Sequence, residues 1–153
     1  MTQSERAEFL IRRLQQEMPR YQSLEIPEDD EGRWRLFRSL CNVRPPYPAS
    51  GEFLKIQDEY LSEKIRERGI VDGEKLPRVR KHAKISLWQG DITSLRCGAI
   101  VNAANSALLG CWQPCHSCID NVIHSFAGVQ LRIRCSEIME AQGHEEETGR
   151  AKI

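Results

Sequence analysis

No charge of either sign predominates in this 153-residue chain: Lys plus Arg and Asp plus Glu each number 22, so the formal net charge is zero. Without a global field there is no long-range preference for nucleic acid or membrane, and neither is expected as a partner. Long apolar runs are missing as well. The first eighteen residues, MTQSERAEFLIRRLQQEM, interleave charges with apolar side chains, a pattern that fits neither an export signal nor a membrane span. Internal repeats and low-complexity tracts are absent too, which sets aside repeat arrays. A hydrophobic content of 40% with 29% charged residues is that of an ordinary globular protein. The six cysteines are therefore expected in a reducing cytoplasm, where thiols act as metal ligands or reactive groups more often than as disulfides.

The chain changes texture near residue 80. Residues 1–80 read as a helical N-terminal extension. Thr2 and Glu5 have capping-box spacing, with Phe9, Leu10, Leu14 and Met18 following at helical intervals and Pro19 as a stop. A second helix is expected from about Gly32 to Asn42, with Trp34, Phe37, Leu40 and Cys41 on one face, ended by the VRPPYPAS joint. Ser50 caps a third, carrying Phe53, Tyr60, Leu61 and Ile65, which Gly69 ends. LPRVRKHAK, residues 76–84, is a basic connector with no interleaved aromatic to stack a base.

Residues 84–153 read as an α/β segment. ISLWQGDI and CGAIVNAA are short apolar runs expected to be strands. Ile119, Val122, Ile123 and Phe126 repeat at helical spacing up to Gly128, and Leu131, Ile138 and Met139 extend a last helix to about Gln142. About seventy residues are a small basis for a sheet buried on both faces. The domain is expected to be incomplete at the closing GRAKI, finished by a partner or by further sequence.

GCWQPCHSC, residues 110–118, holds half of the cysteines and one of four histidines. Zinc takes thiolate and imidazole ligands, and a catalytic site uses three from the protein with one position open. Cys111, His116 and Cys118 supply three if the loop curls over an ion at the helix start, where the positive helix end favours thiolates. Cys115 adjoins His116 and is left outside the set. A rival reading takes Cys115 and Cys118 as a C-x-x-C thiol–disulfide pair, and a third treats all three thiols as packed small side chains. Asp91, in GDIT, either accepts a hydrogen bond from a nucleotide amine or simply forms a turn. Asn102 and Asn105, in NAANS, carry amides that both donate and accept, as ribose hydroxyls require, or form Asx-turns. Asp120, in the first helical turn, either complements the helix dipole or stands as a polar group beside the metal. His124 reads as a packed or surface histidine.

Taken together, LWQGDITSLRCGAIVNAANSALLG resembles the opening of a macrodomain, the α/β/α module that binds ADP-ribose. CIDNVIH stands where many macrodomains have a Val-Asp-x-Ala-Ile-His helix, and CWQPCHSC replaces their glycine-rich loop. That replacement resembles the zinc-containing class of microbial protein-ADP-ribose hydrolases. The resemblance runs from about residue 85 to the end and implies a three-layer α/β/α fold that is incomplete here. It implies Asp91 and Ile92 at the adenine, Asn102 and Asn105 at the distal ribose, and zinc on Cys111, His116 and Cys118. Asp120 and Asn105 become the candidate catalytic residues. The implied reaction releases ADP-ribose from a modified protein, its attachment an acidic side chain. A non-catalytic ADP-ribose reader is the alternative that needs no metal.

Overall fold

Each of the first three helices begins at a side chain that satisfies its free amides. In the computed structural model, which describes residues 1–153, Thr2 and Glu5 close a reciprocal capping box on α1 (Gln3–Glu17). Asp29 accepts from the Gly32 amide at 2.8 Å and starts α2 (Asp30–Val43), two residues earlier than the apolar spacing suggests. Ser50 accepts from the Phe53 amide at 3.1 Å and opens α3 (Gly51–Glu67).

These helices bury their apolar stripes against one another. Leu10, Ile11 and Leu14 from α1, Phe37 and Leu40 from α2, and Phe53, Tyr60 and Leu61 from α3 form the centre of the core. Burying a side chain of this kind contributes about 1.5–3 kcal/mol. Phe37 and Tyr60 meet edge to face with ring centroids 5.4 Å apart. Trp34 stands 5.1 Å from Phe126, which carries the packing across to α4 (Ile119–Ala127). From α5 (Val129–Gln142), Val129 enters the same core and Ile133 packs on it. The buried Gln57 of α3 accepts from the Val129 amide at 3.0 Å, so α3 caps the start of α5. The helices on the two sides of residue 80 therefore share one core.

The strands are short. Val71–Asp72 (β1) pairs in parallel with Leu95–Arg96 (β4), and Arg78–Val79 (β2) pairs antiparallel with His82–Ser86 (β3). Neither expected strand forms as drawn. The basic connector makes up most of the β2–β3 hairpin, and ISLWQGDI contributes only Ile85 and Ser86 to it. GDIT closes instead as a 3₁₀ turn over Ile92–Ser94. Residues 97–104 run as irregular chain, with Val101 84% exposed. Strand geometry is held by its ladder, and an extended segment with no neighbour has nothing to pair its N–H and C=O groups. The result is a mixed α/β chain of five helices and two two-stranded ladders. No helix is long and apolar enough to cross a membrane.

Arg132 of α5 joins the parts. It is only 4% exposed, and its Nη1 donates to the carbonyls of Cys41, Asn42 and Arg44 at the end of α2, at 3.0, 2.9 and 2.7 Å. Its Nε donates to the Leu109 carbonyl at 2.6 Å, and its guanidinium lies 4.2 Å from the centre of the Trp112 ring. Replacing Arg132 with Met leaves four buried carbonyls without their donor. At about 1–3 kcal/mol per stranded acceptor, partly relieved by water, we expect a loss of about 3 kcal/mol. Urea unfolding of the two chains at neutral pH measures it.

Candidate metal centre

The segment from Asn102 to Cys118 is shaped by local turns that end at a helix. Asn105 accepts from the Ala107 amide at 3.1 Å and donates to the Gly110 carbonyl at 3.2 Å, forming an Asx-turn with a second tie across it. Leu108 has φ 57° and Gly110 φ 78°. At Gly110 only glycine fits, since a Cβ would stand 2.8 Å from the His124 ring. The chain then passes Cys111, turns at Cys115 (φ 53°) and reaches Cys118, whose Sγ accepts from the Asn121 amide at 3.4 Å and caps α4.

This path brings Cys111, His116 and Cys118 together. One ligand atom from each lies within 4.8 Å of the others, and all three side chains are half-buried. Cys111 Sγ stands 3.7 Å from His116 Nδ1. Two thiols and an imidazole at the positive end of a helix form a donor set that fits zinc. Cys115 is turned elsewhere: its Sγ rests 3.4 Å from the Arg35 carbonyl of α2. Every cysteine is a free thiol. Cys41, buried on the inner face of α2, has its thiol pushed up to about 12 by burial, so it stays protonated and inert.

Asp120 is buried in the first turn of α4, 5% exposed. Its Oδ1 accepts from Asn102 Nδ2 at 2.8 Å and lies 3.6 Å from His124 Nε2. Burial pushes the His124 imidazole below its ordinary range, against the pull of Asp120, so this histidine is neutral at pH 7. Asn102 Oδ1 is buried with no hydrogen-bond partner, an acceptor held at the edge of the site. Asp91 lies apart from this group. Its carboxylate accepts from the Thr93 amide at 2.9 Å and the Thr93 hydroxyl at 2.6 Å, and it pairs with Arg68. Arg68 in turn covers the Phe126 ring at 4.3 Å. Ile92 lines an apolar hollow of about 250 Å³ with Ile65, Leu95, Ile123 and Phe126. The structure thus places the candidates in two groups: Asn102, Asn105, Asp120 and the Cys/His cluster in one, Asp91 and Ile92 at the hollow in the other.

Residues not singled out by motif hold the cluster in place. Arg38 and Asn42 of α2, with Asn121 and Ser125 of α4, form a polar network beneath the loop. Their signal in the sequence is polar residues breaking an otherwise apolar helix face beside Phe37 and Cys41.

A macro domain model matches residues 101–153, the stretch that carries NAAN, the Cys/His loop and both later helices. The chain is 57% identical over 155 residues to a protein-ADP-ribose hydrolase of Treponema medium, covering 100% of this chain and 59% of that protein. It is 47% identical over 148 residues to a protein-ADP-ribose hydrolase of Staphylococcus aureus (strain MRSA252), covering 97% and 55%. A probable bifunctional ADP-ribose hydrolase/ADP-ribosyltransferase of Fusarium oxysporum f. sp. cubense is 41% identical over 127 residues, covering 77% and 21%. The chain thus spans little more than half the length of the hydrolases it matches.

The close fit at Gly110 yields a prediction. Gly110→Ala forces a Cβ into the His124 ring and strains a positive-φ position, and is expected to destabilise the chain by about 1–3 kcal/mol. Thermal unfolding followed by circular dichroism measures the loss.

Proposed function

We propose, from the match of residues 101–153 to the macro domain model, that this chain forms part of a zinc-dependent hydrolase releasing ADP-ribose from modified protein side chains. The observation that carries the proposal is the convergence of Cys111, His116 and Cys118 within 4.8 Å beside the buried Asp120–Asn102 pair. Structural zinc sites close with four protein ligands, whereas three with an open position is the arrangement of a catalytic site. When bound, zinc supplies a Lewis acid for a substrate oxygen or brings the pKa of its water to about 7.

The chain's own residues supply the positioning. Asn102 orients Asp120 through its amide N–H, and its free Oδ1 is an acceptor suited to a ribose hydroxyl. Neutral His124 supports Asp120 from below and fills the space that Gly110 leaves open. Asp120 is the acid we assign to the ribose side of the reaction. Asn105 holds the turn that leads into Cys111 while keeping one amide hydrogen and one lone pair for the same ribose. The positive start of α4 suits a diphosphate. The apolar hollow at Ile92 suits the flat face of an adenine, with Asp91 at its rim as acceptor for the adenine amine. An ester to an acidic side chain is the attachment we assign, because a polarised carbonyl oxygen is the group that a Lewis acid next to Asp120 would activate.

Elemental analysis tests the metal first. We expect about one zinc per chain, since a catalytic site of this kind holds one ion. His116→Ala and Cys118→Ser lose it and Cys115→Ser retains it. Zinc retained after His116→Ala, or lost only with Cys115, overturns the ligand assignment. Turnover is tested separately on a protein of the relatives' full length, with an ADP-ribosylated protein as substrate. Asp120→Asn should lower kcat by about 10²-fold or more, the scale of a lost acid–base or positioning group, and leave zinc content unchanged. Tight ADP-ribose binding with no release by the parent protein would make it a reader instead.

A further inference from the structure

Two side chains one turn apart on α2, Arg38 and Asn42, grip consecutive residues of the Cys/His loop. Asn42 is 1% exposed; its Oδ1 accepts from the Cys115 amide at 2.9 Å, and its Nδ2 donates to Ser125 Oγ at 3.2 Å. Arg38 Nη2 donates to the His116 carbonyl at 2.7 Å and to Asn121 Oδ1 at 2.7 Å, while its Nε donates to Ser125 Oγ at 3.1 Å. Asn121, fully buried, donates back to the Gln113 carbonyl at 2.9 Å. The N–H of residue 115 and the C=O of residue 116 are thus both held from outside the loop. The two residues bracketed by those bonds include the bend, with Cys115 at φ 53°, a conformation that a free loop of non-glycine residues would seldom keep.

We infer that Arg38 and Asn42 are positioning residues for the metal centre: a backbone clamp on α2 that sets where the His116 imidazole meets the two thiols. The inference rests on reading Cys111, His116 and Cys118 as metal ligands. It adds that residues lying before the matched macro domain segment are part of the metal-binding unit. The physical argument concerns entropy and geometry. A loop that must find its ligand geometry on binding loses affinity by the fraction of time it spends elsewhere. A loop held at its peptide groups has already met that cost when α2 packs. Arg38 suits the task because its planar fork reaches a carbonyl and an amide oxygen at once, which a lysine ammonium does less well. The i and i+4 spacing places both grips on one helix face.

Cobalt(II) is the probe, titrated into the metal-free chain while the thiolate-to-cobalt charge-transfer and d–d bands are recorded. Arg38→Met and Asn42→Ala should each weaken cobalt binding by about tenfold or more, the usual scale for residues that orient metal ligands. The d–d bands should broaden or shift as the ligand geometry loosens. Arg38→Lys should recover part of the affinity by restoring one bond to the His116 carbonyl. Circular dichroism checks that each variant folds, and Arg38→Lys keeps the test alive if Arg38→Met does not. Amide exchange in the metal-free chain gives an independent readout: the Cys115 amide should be protected, and should lose protection in Asn42→Ala. A parent chain without cobalt bands overturns the metal reading and, with it, the inference. A parent chain that binds cobalt while folded variants match its affinity and spectrum overturns the clamp alone.

Discussion

The arrangement depends on one buried cation. Arg132 is almost wholly removed from water, and a charge so placed costs several kcal/mol unless its donors are satisfied. Here they meet the free carbonyls at the end of α2 and the carbonyl of Leu109. The last turn of a helix is where a positive charge is favoured and where backbone acceptors lack partners. Each problem resolves the other. Burial draws the Arg132 guanidinium below its ordinary pKa, but arginine starts so high that it remains charged. The same contact fixes the end of α2 against α5 and anchors the chain two residues before Cys111.

From that anchor the loop has little freedom. Gly110 is pressed against His124, Arg132 covers Trp112, and the clamp from α2 holds residues 115 and 116. Environment then sorts the cysteines into kinds. Cys41 lies in the core with its thiol pushed up, which makes it a packing residue. Cys111 and Cys118 are half-buried beside His116, with Cys118 capping α4. Cys115 sits between them in sequence, yet the left-handed bend at its own position turns its side chain toward α2. That bend is the structural reason Cys115 stands apart from the Cys111–His116–Cys118 cluster.

The parts of this protein that were legible in the sequence are those decided locally. The capping box at Thr2 and the cap at Ser50 lie within three residues of the amides they satisfy. The Cys/His cluster was legible for the same reason, because its three side chains fall within eight positions. Strands were less so. Periodicity marks ISLWQGDI and CGAIVNAA as apolar, but a strand also needs a neighbour, and that neighbour is not written into the segment. The observed ladder at Leu95 is with Val71, a pairing that no alternation in either segment announces. Arg38, Asn42 and Arg132 were illegible as site residues because their hydrogen-bond partners lie 23 to 91 positions away. A polar residue on an apolar helix face signals a partner without saying which.

This distance between signal and partner bears on where the functional unit begins. The macro domain match starts at residue 101, whereas relatives named as hydrolases match from end to end of this chain. The structure supplies a physical reason for the difference. Residues 1–100 hold the apolar partners of α4 and α5, since Trp34 faces Phe126 and Gln57 caps Val129. They also hold Arg38 and Asn42, which bond the Cys/His loop at residues 115 and 116. A segment that merely preceded a domain would be free to vary its contacts with it. These helices share one core with α4 and α5, and Arg38 bonds the His116 carbonyl itself, so α2 cannot move without moving the Cys/His loop.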